Sequence, residues 1–254
     1  MDAMARLRVG LDARGRTVPT ELRAEAPLLM RVTGEDIGCG LAVHLVGGAA
    51  GPLSGDRLVF DLDVEPGARL TVRSVAASLA QPGRTGAAGS TAIVTAHAHA
   101  GAALDWWPEP VISVCGSDHT ITTALDIAGD AHVRWIDEAV LGRHAELGGC
   151  LTLRQRISVD GAPVLRHTIS LDPQRTGIGR QGQARVVVTA IEAGPSPAAA
   201  SSIVSAGLRC ARFPLGDACT AWIALTDDLD RARAALAELG LDRRASIGGR
   251  AGCC

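Results

Sequence analysis

The sequence predicts a mainly β protein, a many-stranded scaffold of stacked or helical sheet followed by a short α-helical C-terminal part. Three observations carry that prediction. Apolar and polar residues alternate through most of the middle of the chain, glycine-led turn phrases separate the alternating runs, and helical spacing of apolar residues is confined mainly to the end.

Leu58, Phe60, Leu62 and Val64 alternate with mostly polar residues, Glu65-Pro66-Gly67 interrupts the run, and Leu70 and Val72 resume it, which predicts a hairpin. A second hairpin is expected where Ile157 and Val159 lead into Asp160-Gly161, a preferred turn dipeptide, and Leu165, His167, Ile169 and Leu171 then share one face. Turn-then-strand phrases recur at Gly67-Ala68-Arg69-Leu70, Gly101-Ala102-Ala103-Leu104 and Gly129-Asp130-Ala131-His132-Val133. Their uneven spacing indicates a stack of similar strands and not a true repeat. Near the end, Thr226 or Asp227 can cap a helix with Leu229, Ala232, Leu236 and Leu239 on one face and Gly240 as its stop. A second helical segment is expected over Pro197 to Leu208, a surface loop over Arg175 to Gln183, and a frayed or disordered tail from Arg243 to Cys254. The expected organisation is one domain over 1–254, with a β-rich core at about 20–190, a helical part at about 197–240 and a tail at about 243–254.

With 254 residues, 47% of them hydrophobic, the chain can bury a large core. Its charged fraction is 20% and its formal net charge is -2, so no basic field attracts nucleic acid or an anionic membrane. No apolar run approaches the roughly 20 residues that span a bilayer. Charges recur through Met1 to Val18 where a signal peptide would be apolar, and a cytoplasmic protein is expected. Seven cysteines (Cys39, Cys115, Cys150, Cys210, Cys219, Cys253 and Cys254) form no CxxC pair and read as buried free thiols.

Few stretches could carry chemistry. His97 and His99 lie two apart, so on a strand both leave the same face while Val94, Ala96 and Ala98 take the other, and such a pair can contact a transition metal. In Val133-Arg-Trp-Ile-Asp-Glu-Ala-Val-Leu141, alternation puts Asp137 with Val133, Trp135, Ala139 and Leu141, and Glu138 opposite beside Arg134. A carboxylate on an apolar face must be protonated, paired or bound to a cation. Either Arg143 pairs with Asp137, or Asp137 lines an internal polar passage. Catalytic templates fail: there is no GxSxG, no HExxH, and no lysine to build a P-loop. Gly177 to Gly182 fits GxGxxG, but no apolar strand leads into it. A non-catalytic protein is expected.

Four blocks then resemble the UreD family of urease accessory proteins. Gly67 to Ser78 is similar to the family's segment in which a "GA" turn precedes "TTQAATK". Gly47-Gly48 followed by Ser54-Gly55-Asp56 is similar to its glycine-rich entry ending in "GGD", Leu104 to Pro110 to "LEWLPQE", and Trp135-Ile-Asp137 with Leu141-Gly142-Arg143 to "W-E…LGR". With flanking strands these blocks cover roughly residues 44–171. The resemblance implies a scaffold with no tightly bound cofactor. It implies a hetero-oligomeric complex with UreF and the GTPase UreG, docked on apo-urease, through which Ni²⁺ passes in transit. Carried over residue by residue, it puts Asp56, Glu109 and Asp137 on the nickel route with Arg143 in support. Glu138, the neighbour of Asp137, is a further candidate, and His97 and His99 are added from their spacing. The chain departs from the family pattern at Val75 (glutamine), Leu79 (lysine), Gln81-Pro82 (tyrosine-arginine) and Gly148-Gly149 ("GE"), and its tail ends in Cys253-Cys254. The competing reading is a β-rich structural or protein-binding module without a metal role.

Overall fold

A computed structural model describes residues 1–36, 40–84, 86–173, 184–194 and 198–242. Cys39, the Arg175–Gln183 segment with its GxGxxG, and the 243–254 tail with Cys253 and Cys254 lie outside the described residues. In chain order the strands are β1 (Asp2–Leu11), β2 (Thr17–Ala24), β3 (Leu28–Asp36), β4 (Gly40–Gly47), β5 (Arg57–Val64), β6 (Arg69–Ser74), β7 (Ser78–Ala80), β8 (Ser90–Ala98) and β9 (Ala103–Trp106). They continue with β10 (Val111–Ser113), β11 (Asp118–Ile127), β12 (His132–Leu141), β13 (Cys150–Val159), β14 (Ala162–Leu171), β15 (Val186–Ala193), β16 (Ser201–Ser205), β17 (Leu208–Leu215) and β18 (Cys219–Thr226), and one helix, α1 (Leu229–Glu238), closes the described chain.

The strands form two sheets. One has seven strands in the order β14-β13-β11-β8-β5-β1-β2; the other has eleven, with the path β16-β17-β18-β15-β12-β9-β6-β4-β3 and β10 and β7 beside β12. The chain passes from the first sheet to the second at each of the three glycine-led phrases, from β5 to β6, from β8 to β9 and from β11 to β12, and the strands of successive coils pair in parallel. The stacked, solenoid-like arrangement is therefore built as the turn phrases suggested. At the corners Ala68, Ala102 and Ala131 are buried at equivalent positions, where only a small side chain fits against the coil above.

The hairpin expected over Leu58 to Val72 is a correction. Both strands form, but β5 and β6 lie in different sheets, and the Glu65-Pro66-Gly67 break is a corner between them. Alternation and a turn signal are common to both cases, because they report one buried face and not which strand pairs with it. The second hairpin forms as expected: β13 and β14 are antiparallel, and Asp160 and Gly161 have φ of 48° and 75°, the pair of positive values a tight two-residue turn requires.

Within Pro197 to Leu208 the described residues form strand β16 and the turn into β17, not a helix, because β16 gains backbone partners along β17. Strands accordingly extend from Asp2 to Thr226, beyond both ends of the expected core. The helix cap is Asp228, not Thr226 or Asp227; its carboxylate accepts the Arg231 N–H at 2.8 Å, while Thr226 is still in β18. Gly240, at φ 91°, ends the helix as expected. Of the described thiols Cys210 and Cys219 are buried, whereas Cys115 is exposed, contrary to expectation.

Helix α1 covers the outer face of the eleven-stranded sheet. Ala232, Ala235, Leu236 and Leu239 pack with Ile136, Val188, Ala190 and Trp222. Two buried charge clusters lie beneath it. Asp105 accepts from Arg73 and Arg134, and the Arg134 guanidinium sits 5.8 Å from the Trp107 ring centroid. Glu138, whose side chain is 0% exposed, accepts from Trp107 Nε1 at 2.9 Å and from Arg233 Nε and Nη2 at 2.8 and 2.6 Å. Arg233 is thus the bidentate clasp between helix and sheet. Arg233→Ala should leave Glu138 buried and uncompensated and cost about 3 kcal/mol in urea denaturation, while adding Glu138→Gln should recover part of that loss. A loss below about 1 kcal/mol would show that the pair does not hold the helix.

Candidate functional site

Strand β12 carries two neighbouring carboxylates with opposite surroundings. Val133, Trp135, Asp137, Ala139 and Leu141 face the space between the sheets, and Arg134, Ile136, Glu138 and Val140 face α1. Both faces are covered, so alternation separates the two sides without ranking their burial. Glu138 proves the less exposed of the two.

Asp137 lines a cavity of about 370 Å³ between the sheets. Leu58, Phe60, Ala92, Val94, His119 and Ile121 form the wall from the seven-stranded sheet; Ser74, Trp106, Val111 and Asp137 contribute from the other. Its outer end is bordered by the exposed residues Ala49, Ala50, Val75, Ala76 and Ala77.

The in-register stack explains how the inner end was assembled. Phe60, Val94, Thr123 and Gln155 form one row across β5, β8, β11 and β13, apolar at one end and polar at the other. On the opposing sheet Val72, Trp106 and Trp135 form another, with the two indoles stacked at 4.5 Å and 4°. Gln155 Nε2 donates to Asp137 Oδ2 at 2.7 Å and to Thr189 Oγ1 at 3.1 Å, and Trp135 Nε1 donates to both Asp137 oxygens at 3.2 Å. All these donors are neutral.

Burial pushes the Asp137 pKa up to about 6; the Gln155, Trp135, Trp106 and Thr123 side chains oppose that rise without cancelling it. Trp106 Nε1 and Thr123 Oγ1, which act on the carboxylate without completing a hydrogen bond, and Gln155 Oε1 are buried without a full hydrogen-bond partner among the described residues. These atoms surround a carboxylate that lacks a cation partner, and buried polar groups of this kind call for a polar occupant. Asp137, Gln155 and Thr123 supply oxygen donors suited to a hydrated divalent cation. No three His, Cys, Asp or Glu side chains among the described residues converge as a metal cage. The donor set is therefore open.

Of the other expected residues, the cavity brings only Glu109 together with Asp137. Glu109 accepts from Arg233 Nη2 at 3.1 Å, and its N–H donates to Ser74 Oγ. Glu138 is across the sheet, with its oxygens taken by Arg233 and Trp107. Asp56 is buried beside the 51–56 turn, where it accepts the Leu53 N–H and pairs with the Met1 amino group. His97 and His99 point to the outer face of the seven-stranded sheet and meet different carboxylates, Asp126 at 3.5 Å and Asp63 at 2.8 Å.

The Asp137–Arg143 pairing is a correction. Arg143 is exposed and paired with Glu146, whose pKa it holds down to about 2, and Arg185 binds the Arg143 carbonyl. The chain turns away after Leu141, so two residues of separation do not bring the guanidinium back between the sheets. Sequence reasoning missed Gln155, Thr123 and His119. Each was visible as a polar residue on the apolar face of its strand, the same signal that singled out Asp137.

The pH dependence follows from the raised pKa. The contribution of Asp137 to stability is complete below its unfolded value of 3.8 and is lost as pH rises through about 6. Relative to Asp137→Asn, the parent protein should therefore lose about 2 to 3 kcal/mol between pH 4 and pH 7 in urea titrations. A difference that stays constant across that window would show that Asp137 does not titrate there.

The family model described as UreD urease accessory protein matches residues 3–253. The urease accessory protein UreD of a Parafrankia species is 38% identical over 249 residues, covering 89% of this chain and 83% of that protein. Its counterpart in Frankia alni is 35% identical over 262 residues, covering 89% and 88%. That of Streptomyces coelicolor is 41% identical over 175 residues, covering 69% and 68%. With a match running almost end to end, the chain belongs to the UreD family of urease accessory proteins.

Proposed function

We propose that this protein is a cytoplasmic scaffold in maturation of the urease metallocentre, and that Ni²⁺ crosses its inter-sheet cavity past Asp137 on the way to apo-urease. UreF and the GTPase UreG are the partners in that assembly. The observation that carries the reading is Asp137 itself. It is a carboxylate on the inner wall of a cavity, held by neutral donors with three polar atoms around it that lack a full partner among the described residues, in a chain of the UreD family.

A divalent ion moving between two apolar walls loses hydration, and a carboxylate offsets part of that cost. Passage also requires release. An open set of oxygen donors holds Ni²⁺ less tightly than a closed thiolate or imidazole cage. A carboxyl that titrates near pH 6 exchanges a proton for the cation at small cost, because metal binding requires the deprotonated form. Glu109 extends the acidic lining, and Arg233 partly neutralises it.

The test is co-expression of Asp137→Ala and, separately, Asp137→Asn with the urease operon, measuring soluble complex, urease activity and nickel content. The expected outcome is normal complex with nickel-poor, weakly active urease. Loss of soluble protein would return Asp137 to a purely structural role. Full activity with normal nickel loading would remove it from the mechanism and favour a protein-binding scaffold without a metal role.

A further inference from the structure

A second group on the cavity wall differs in kind from Asp137. His119 is 2% exposed, on the inner face of β11 two residues before Ile121. Its partner is in register on the neighbouring strand: His119 pairs with Ser90 of β8, itself 1% exposed, and His119 Nδ1 lies 2.8 Å from Ser90 Oγ. Ser90 Oγ has the Asp118 carbonyl as an acceptor for its own proton at 3.5 Å. The Ser90 backbone also acts on the ring as an acceptor, favouring its protonated form. With the Ser90 proton given to the Asp118 carbonyl, Ser90 Oγ accepts from Nδ1–H, and in that tautomer the lone pair falls on Nε2.

Burial keeps the ring neutral, with its pKa pushed down to about 4, so Nε2 remains an available donor through the physiological range. Among the described side chains lining the cavity, His119 alone carries a nitrogen lone pair. The surrounding wall is otherwise apolar at Leu58, Ala92 and Ile121.

The geometry points to His119 Nε2 as the specificity-determining ligand of the cavity, a nitrogen donor that selects a borderline transition-metal ion over Mg²⁺, with Ser90 Oγ as the positioning group that fixes its tautomer. This deepens the nickel reading and rests on it. Carboxylate and hydroxyl oxygens alone suit Mg²⁺, Ca²⁺ and Mn²⁺, whereas imidazole suits Ni²⁺, Cu²⁺ and Zn²⁺. A wall of acids would therefore not discriminate against Mg²⁺; one neutral imidazole does. The Ser90 hydroxyl, bonded to the ring nitrogen that faces away from the lone pair, orients the ring as the partners of ligand histidines do elsewhere.

The experiment uses the full chain with ¹⁵N-labelled histidine at pH 7, the His119 signals being assigned by their loss in His119→Gln. Long-range ¹H–¹⁵N spectra should show an Nδ1–H, Nε2-unprotonated ring. Substoichiometric Ni²⁺ should broaden His119 and the Trp135 indole, and equal Mg²⁺ should broaden neither. In co-expression under limiting nickel with excess magnesium, His119→Gln should lower the nickel content of urease roughly tenfold at unchanged soluble complex, and Ser90→Ala, which leaves the ring in place, should weaken Ni²⁺ broadening by a similar factor. An Nε2-protonated ring, or Ni²⁺ broadening that spares His119 together with normal loading by His119→Gln, overturns the proposal. If Asp137→Asn still blocks loading in that case, the cavity reading survives without its nitrogen ligand. If Ni²⁺ broadens neither group and Asp137→Asn loads normally, both fall.

Discussion

In-register stacking of parallel coils determines where every other feature of the molecule can be. Because the corners at Gly67, Gly101 and Gly129 repeat on equivalent levels, a residue at one position in a coil lies directly above its counterpart in the next. Rows of side chains across the coils result. The stacked Trp106 and Trp135 rings at 4.5 Å follow from the spacing of neighbouring strands, and so does the row from Phe60 to Gln155 that turns from apolar to polar as it approaches Asp137. A cavity with a polar inner end needs no special loop here; it arises from which residue each coil contributes to the row.

Adjacent residues on one strand can then have different electrostatic roles. Glu138 and Asp137 are one residue apart, and the sheet separates them by its thickness. Glu138 meets a guanidinium and an indole from the elements that cover the outer face, so its charge is compensated on the spot. Among the described residues Asp137 meets only neutral donors, and burial raises its pKa instead. Arg233 joins the two environments, because the same Nη2 reaches Glu138 and the cavity-lining Glu109. Helix and cavity wall share one cation.

Much of this was legible from residue order, and the failures share a cause. Period-two alternation located the strands, the Asp160-Gly161 turn marked the true hairpin, and the apolar stripe with Gly240 marked the helix. What alternation cannot carry is partnership. It could not tell that β6 leaves the sheet containing β5, that Arg143 turns outward to Glu146, or that Arg233, 95 residues from Glu138, closes on it. Pairings between distant residues depend on the stack, and the stack is absent from any local window. Gln155, Thr123 and His119 are a different kind of miss: each was a polar residue on an apolar face, and the argument applied to Asp137 covers them equally.

The order of the coils also has a temporal meaning. In the seven-stranded sheet β1 pairs with β5, β5 with β8, β8 with β11 and β11 with β13, each in parallel, and β14 then folds back antiparallel as the last strand on that side. During synthesis from the N-terminus each new coil finds its template already made, so the stack can grow by addition in the direction of translation. While the stack grows, however, the newest strand presents a full row of unpaired backbone groups to any other chain in the same condition. The long-range pairings that such growth requires are slow to form, which lengthens that exposure. Backbone chemistry makes the unfinished stack adhesive, and the hairpin at Asp160-Gly161 is the step that ends its growth on that side.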